Sequence, residues 1–78
     1  MTNKAYIVAN KQQEREVLEK LEREGMTWGI INEKPTDFAP GVRNIVPFPY
    51  VIIANNWLSW NWVSELKNKE IVFDGRKE

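Results

Sequence analysis

Hydrophobic and polar positions along this chain fall into five short strand-like stretches and one longer helical stretch. Lys4 to Ala9 (KAYIVA) places Tyr6 and Val8 on one face and Ala5, Ile7 and Ala9 on the other. Both faces are apolar, which predicts a central or well-covered strand. From about Lys11 to Glu24 the period lengthens. Val17, Leu18 and Leu21 form a narrow apolar stripe on an otherwise charged segment, as expected of a helix with one face against a sheet. Asn10 stands at the N-cap position, with Gln13 three residues on in the capping-box place. Gly25 supplies a left-handed stop. Glu16 with Lys20, and Glu19 with Arg23, have the spacing of favourable pairs along the helix.

Met26 to Ile31 (MTWGII) reads as a second strand, running back antiparallel to the first or beside it. A loop of about residues 32–49 follows, carrying Pro35, Pro40, Pro47 and Pro49. It exceeds the usual connection length, so it is expected to be functional or to contain a short element, with Asn44 to Val46 as the candidate. Tyr50 to Ala54 (YVIIA) is the clearest strand. Asn55-Asn56 tolerates positive φ and predicts a tight hairpin turn. Trp57 to Val63 (WLSWNWV) returns as its partner, with Leu58, Trp60 and Trp62 facing the core and Trp57, Ser59, Asn61 and Val63 facing away. Glu70 to Asp74 (EIVFD) is the last strand, before a polar tail.

The order β-α-β-loop-β-β-β predicts one α+β domain spanning residues 1–78. It would have a small antiparallel or mixed sheet of four to five strands, with one amphipathic helix packed on one face. The other face would be open to water or covered by the long loop.

Composition sharpens this picture at two points. From Phe38 to Ser64 the only charged side chain is Arg43, set among two Phe, one Tyr and three Trp. Elsewhere the chain is densely charged. Large aromatics supply most of the burial available to a chain of 78 residues, so Trp28, Trp60, Trp62, Phe48 and Phe73 are assigned to the core. Phe38, Tyr50 and Trp57 are the candidates for a partner-binding surface, because Trp, Tyr and Arg dominate interface energetics. Arg43 joins them as an interface anchor, as a clamp for phosphate or carboxylate, or as a charge that keeps the loop soluble.

The second point is what is missing. The chain has no His and no Cys, which removes the commonest general base, the thiolate nucleophile and the strong zinc ligands. The helix glutamates, Glu14 among them, interleave with Lys and Arg and read as a solvated face. The four glycines are scattered and form no phosphate-cradling motif. The expectation is a non-enzymatic protein with no catalytic residue, no cofactor and no metal.

Eleven basic residues balance eleven acidic ones, so no long-range field gathers nucleic acid or an anionic membrane. A single-stranded nucleic-acid platform would need a basic groove beside its aromatics. Lys34, Arg43, Lys67 and Lys69 are offset by Glu33, Asp37, Glu65 and Glu70, so that class is disfavoured. Met1 to Lys4 lacks a signal-type apolar run, and Tyr50 to Ala54 is too short to span a bilayer. A soluble cytoplasmic protein is expected.

An early strand and a charged helix (EREVLEKLEREG) are followed by a Trp after the glycine (GMTW). Then come a Lys-Pro-Thr step (EKPTDF), a Pro-Tyr strand (FPYVII) and an Asn turn leading into a Trp-bearing strand (NNWLSW). In this series, over most of its length, the chain resembles a loose group of small accessory proteins encoded by phages and prophages of Gram-positive bacteria. It departs from the group at NWVSEL, where Trp62 is added. The resemblance transfers no site residue. It implies a context, in which small phage proteins bind a host factor, at times one belonging to a defence system, or sequester a nucleotide signal. The expected function is therefore binding and modulation of a host protein by steric occlusion. The alternative is a homo-oligomeric sponge for a small anionic nucleotide, with Arg43 at the subunit boundary. A virion component is a third class.

Overall fold

The computed structural model describes residues 4–29, 34–66 and 70–77. Four strands form one open mixed sheet beneath a single helix. β1 (Lys4–Val8), α1 (Lys11–Arg23), β2 (Tyr50–Ala54), β3 (Leu58–Trp62) and β4 (Glu70–Asp74) follow in chain order, and the sheet order is β3-β2-β1-β4. β1 and β2 are antiparallel, as are β2 and β3, while β1 and β4 are parallel. β1 is thus an interior strand, as its two apolar faces predict.

The helix begins where the capping residues place it. Asn10 Oδ1 accepts the Gln13 N–H at 2.9 Å, and Gln13 Oε1 accepts the Ala9 N–H at 2.8 Å. Gln13 Nε2 also donates to the Gly75 carbonyl at 3.1 Å, tying the helix start to the turn Gly75–Lys77. The helix ends at Arg23, and Gly25, just past the Glu24 cap, adopts φ +83°. The Gly25 and Met26 N–H groups close back on the Glu22 and Leu21 carbonyls. Its surface pairs are Arg15 with Glu19 and Lys20 with Glu24, not the expected Glu16–Lys20 and Glu19–Arg23. Lys20 is drawn instead to Glu24 and lies over the Tyr6 ring.

Each sheet face carries its own apolar cluster. On the helix side Tyr6, Val8, Tyr50, Ile52, Ala54 and Leu58 meet Val17, Leu18 and Leu21 of α1. Val46 from the long loop and Trp28 complete this layer. On the far side Ala5, Ile7, Val51 and Ile53 are buried beneath Val63 and Leu66. That cover has a topological cause. β3 and β4 lie at opposite edges, so the chain between them has to cross a face, and the helix already occupies the other one. The long loop, one of the two expectations for the far face, packs on the helix side instead.

Met26 to Gly29, the described part of the expected Met26–Ile31 strand, does not form a strand beside β1. Both of β1's sides are taken by β2 and β4. Trp28 makes one isolated parallel bridge to Leu58, fixed by Leu58 N–H to the Thr27 carbonyl and Gly29 N–H to the Leu58 carbonyl. Ile30 and Ile31 lie outside the described residues. The short element in the long loop is a 3-10 turn at Pro35–Asp37, not Asn44 to Val46. Asn44 instead takes φ +60° in the turn that brings Val46 inward. No helix among the described residues is long and apolar enough to cross a membrane.

Candidate functional site

The long loop is held to the helix by polar contacts at two levels. At the surface, Glu22 Oε1 accepts from Thr36 Oγ1 at 2.6 Å and from the Thr36 N–H at 3.2 Å. These bonds hold the Glu22 carboxyl below its usual pKa. In the interior, Glu14 is fully buried, and its Oε2 accepts the Tyr50 hydroxyl at 2.5 Å and the Gly41 N–H at 2.7 Å. Its Oε1 is buried with no partner among the described residues. Burial, and then the Glu14 hydrogen bond, push the Tyr50 phenol well above its ordinary pKa. Gly41 fits because it has no side chain: a Cβ there would collide with the Phe48 ring and approach Glu14 Oε2 at 2.8 Å.

This arrangement corrects two expectations. Tyr50 is not a surface anchor. It is 0 % exposed, since the loop and helix close over it. Glu14 is not on a solvated face. Its signal was legible: positions 14, 17, 18 and 21 share one helical stripe, and Glu14 extends the apolar stripe by one turn.

The remaining candidates divide in space. Phe38 and Arg43 come together: the guanidinium lies 5.2 Å from the ring centroid, and Arg43 Nη2 donates to the Asp37 carbonyl at 3.0 Å. Phe38 is half-buried, edge-on to Trp28 with centroids 5.5 Å apart. Trp57 sits at the hairpin turn and is 53 % exposed. Its N–H donates to Asn55 Oδ1 at 3.2 Å, its carbonyl accepts the Asn55 N–H at 3.2 Å, and its ring packs over Gly29. The loop pair and the turn Trp are joined through the Trp28–Gly29 backbone.

Trp62, expected in the core, is 45 % exposed. Alternation put it on the helix side correctly, since it faces Tyr50 across the ladder. Its strand lies at the sheet edge, where the covering layer thins from buried Leu58 through half-buried Trp60 to Trp62. The two indoles meet edge to face at 6.0 Å. Val42 and Ile45 of the loop are also exposed, as are Ile71 and Val72 of β4.

An open groove of about 730 Å³ runs between α1 and the loop. Lys11, Arg15 and Arg23 along it are interleaved with Glu19 and Glu22, so it presents no single sign of charge. Among the described residues, no group of three or more acidic side chains gathers as a metal site would require. Comparison with protein-family models, with curated proteins and with solved structures finds no match for this chain.

Proposed function

We propose that this chain is a non-enzymatic binding protein of the phage accessory type, which modulates a host protein by covering part of its surface. Inhibition of a defence system is the specific form of that role. The observation that carries the reading is Trp57. More than half of a large indole is exposed on a turn held by two hydrogen bonds to Asn55 and seated on Gly29. An anchor that is already ordered loses little further freedom on binding, and an indole gains a large contact area. Arg43, which a sponge for small anions would use, already meets the Phe38 ring and the Asp37 carbonyl. That favours the protein partner over the anion.

The test compares affinity capture from host lysate by the wild-type chain and by Trp57→Ala. The expected result is one host protein enriched by the wild type and lost with Trp57→Ala, at an unchanged urea midpoint. Equal recovery by both proteins would sink the reading. So would unfolding of Trp57→Ala, which would make Trp57 a structural residue.

A further inference from the structure

The two edges of the sheet are built differently. Along β4 the pairing shifts register between Ala5–Ile71 and Tyr6–Phe73, so Val72 is an extra, bulged residue. A bulge twists an edge strand away from further pairing. Asp74, clamped by Arg76 Nε and Nη2 at 2.9 Å each, adds a charge beside it. β3 has no such protection. LSWNW contains no charge and no proline, and its pairing with β2 is regular over all five residues.

The direction of β3's backbone groups follows from parity. Leu58 spends both its N–H and its carbonyl on the Thr27–Gly29 segment, away from β2. In an antiparallel ladder alternate residues bond to the same side. Trp60 and Trp62 therefore also direct their N–H and carbonyl groups outward. The Trp62 N–H is held in the monomer by its own neighbour's side chain, Asn61 Oδ1 at 2.8 Å, an exposed contact that an incoming strand's carbonyl would replace. The Trp60 groups have no partner among the described residues.

We infer that this edge pairs with the same edge of a second copy, antiparallel, with Trp60 opposite Trp62 of the partner and Asn61 opposite Asn61. Three observations select a second copy as the occupant. The Trp28 bridge blocks the edge at Leu58, and the 3-10 turn Val63–Glu65 ends it after Trp62. Only a short strand fits between, and another β3 has the same open length. The edge is uncharged, so a two-fold axis through it brings no like charges together. The pairing also places all four indoles on the helix side of a continuous sheet, covering the two that each monomer exposes in part. Trp57 lies beyond the Leu58 end of this edge, so the dimer carries two copies of the proposed partner-binding turn.

Size-exclusion chromatography with light scattering, at about 1–100 µM, tests the assembly. The expected mass at the upper end is twice 9.2 kDa. Trp62→Lys, placed at an exposed edge site, should remain folded by circular dichroism and shift the equilibrium toward monomer by at least about tenfold. Cysteine cross-linking tests the register. Facing residues of a non-hydrogen-bonded pair lie about 4.5 Å apart at Cα, within disulfide reach. Asn61→Cys should oxidise to a covalent dimer, while Ser59→Cys should not. A wild-type protein at 9.2 kDa throughout, or equal cross-linking at positions 59 and 61, overturns the inference. Either result leaves the Trp57 capture experiment unaffected.

Discussion

Replacing Tyr50 by Phe removes one buried oxygen and leaves the ring in place, so its effect isolates a single contact. The hydroxyl donates at 2.5 Å to Glu14 Oε2. The Gly41 N–H is the other donor to that atom, and Oε1 has no partner among the described residues. The variant therefore leaves a fully buried carboxyl with one donor. A hydrogen bond to a carboxylate is worth about 1.5–3 kcal/mol. At about 0.05–0.15 kcal/mol per residue, this chain has roughly 4–12 kcal/mol in total, so the loss is a large share. Domains of this size move by about 4–8 °C per kcal/mol, which gives a fall in Tm of about 6–24 °C. Urea unfolding at pH 7, followed by indole fluorescence, reads it directly. The same variant carries a second signature. Tyr50's folded pKa is raised above the unfolded value of about 10. The associated stability is present in full below pH 10 and declines as pH rises above it. Wild-type stability should thus fall above pH 10 more steeply than that of Tyr50→Phe. A loss below about 0.5 kcal/mol at pH 7, together with parallel alkaline slopes, would refute the buried pair as a stabilising contact.

Leu21→Ala, at a fully buried helix position, should cost about 2–5 kcal/mol in urea unfolding. A loss under about 0.5 kcal/mol would refute packing of α1 on the sheet. Gly41→Ala should destabilise although alanine suits most backbones, because its Cβ would strike Phe48 and crowd Glu14; an unchanged urea midpoint would count against the loop closure described. At the acid end, Asp74 is held at about 2 by the Arg76 side chain, below its ordinary value of 3.8. Its contribution is present above pH 3.8 and lost as the pH falls through about 2. Acid titration of the urea midpoint should show a shallower fall for Asp74→Asn than for the wild type.

Local periodicity carried most of the fold. β1, α1, β2 and β4 lie where alternation and capping place them, because each is decided by near neighbours. β3 begins at Leu58, one residue later than the alternation implied, because Trp57 closes the turn with Asn55. What escaped the sequence depends on distant partners. MTWGII has strand character, but β2 and β4 occupy both sides of β1, leaving Trp28 one bridge at the far edge. Alternation assigns Trp62 a face and says nothing of its distance from the covering layer. The loop has no period, yet Pro35, Pro40 and Val46 are fully buried, and Val46 joins the core on the helix side. Glu14 shares the stripe of Val17, Leu18 and Leu21, which marks it as inward-facing, but its partners Tyr50 and Gly41 are too distant in sequence to be read beforehand. Of the proposed surface, Trp57 is exposed, Phe38 and Arg43 brace the loop, and Tyr50 is buried.

The placement of β1 has a consequence during protein synthesis. Of the four strands β1 is translated first, and its two neighbours are made much later: Lys4 pairs with Ala54 on one side and with Glu70 on the other. Until both have been translated, the most apolar early segment stays unzipped, with only α1 to shelter it. Non-local pairing of this kind slows folding. The nascent strand is therefore exposed to chaperones and proteases until β4 has been made, and a premature stop before β4 would release a product whose sheet lacks one wall.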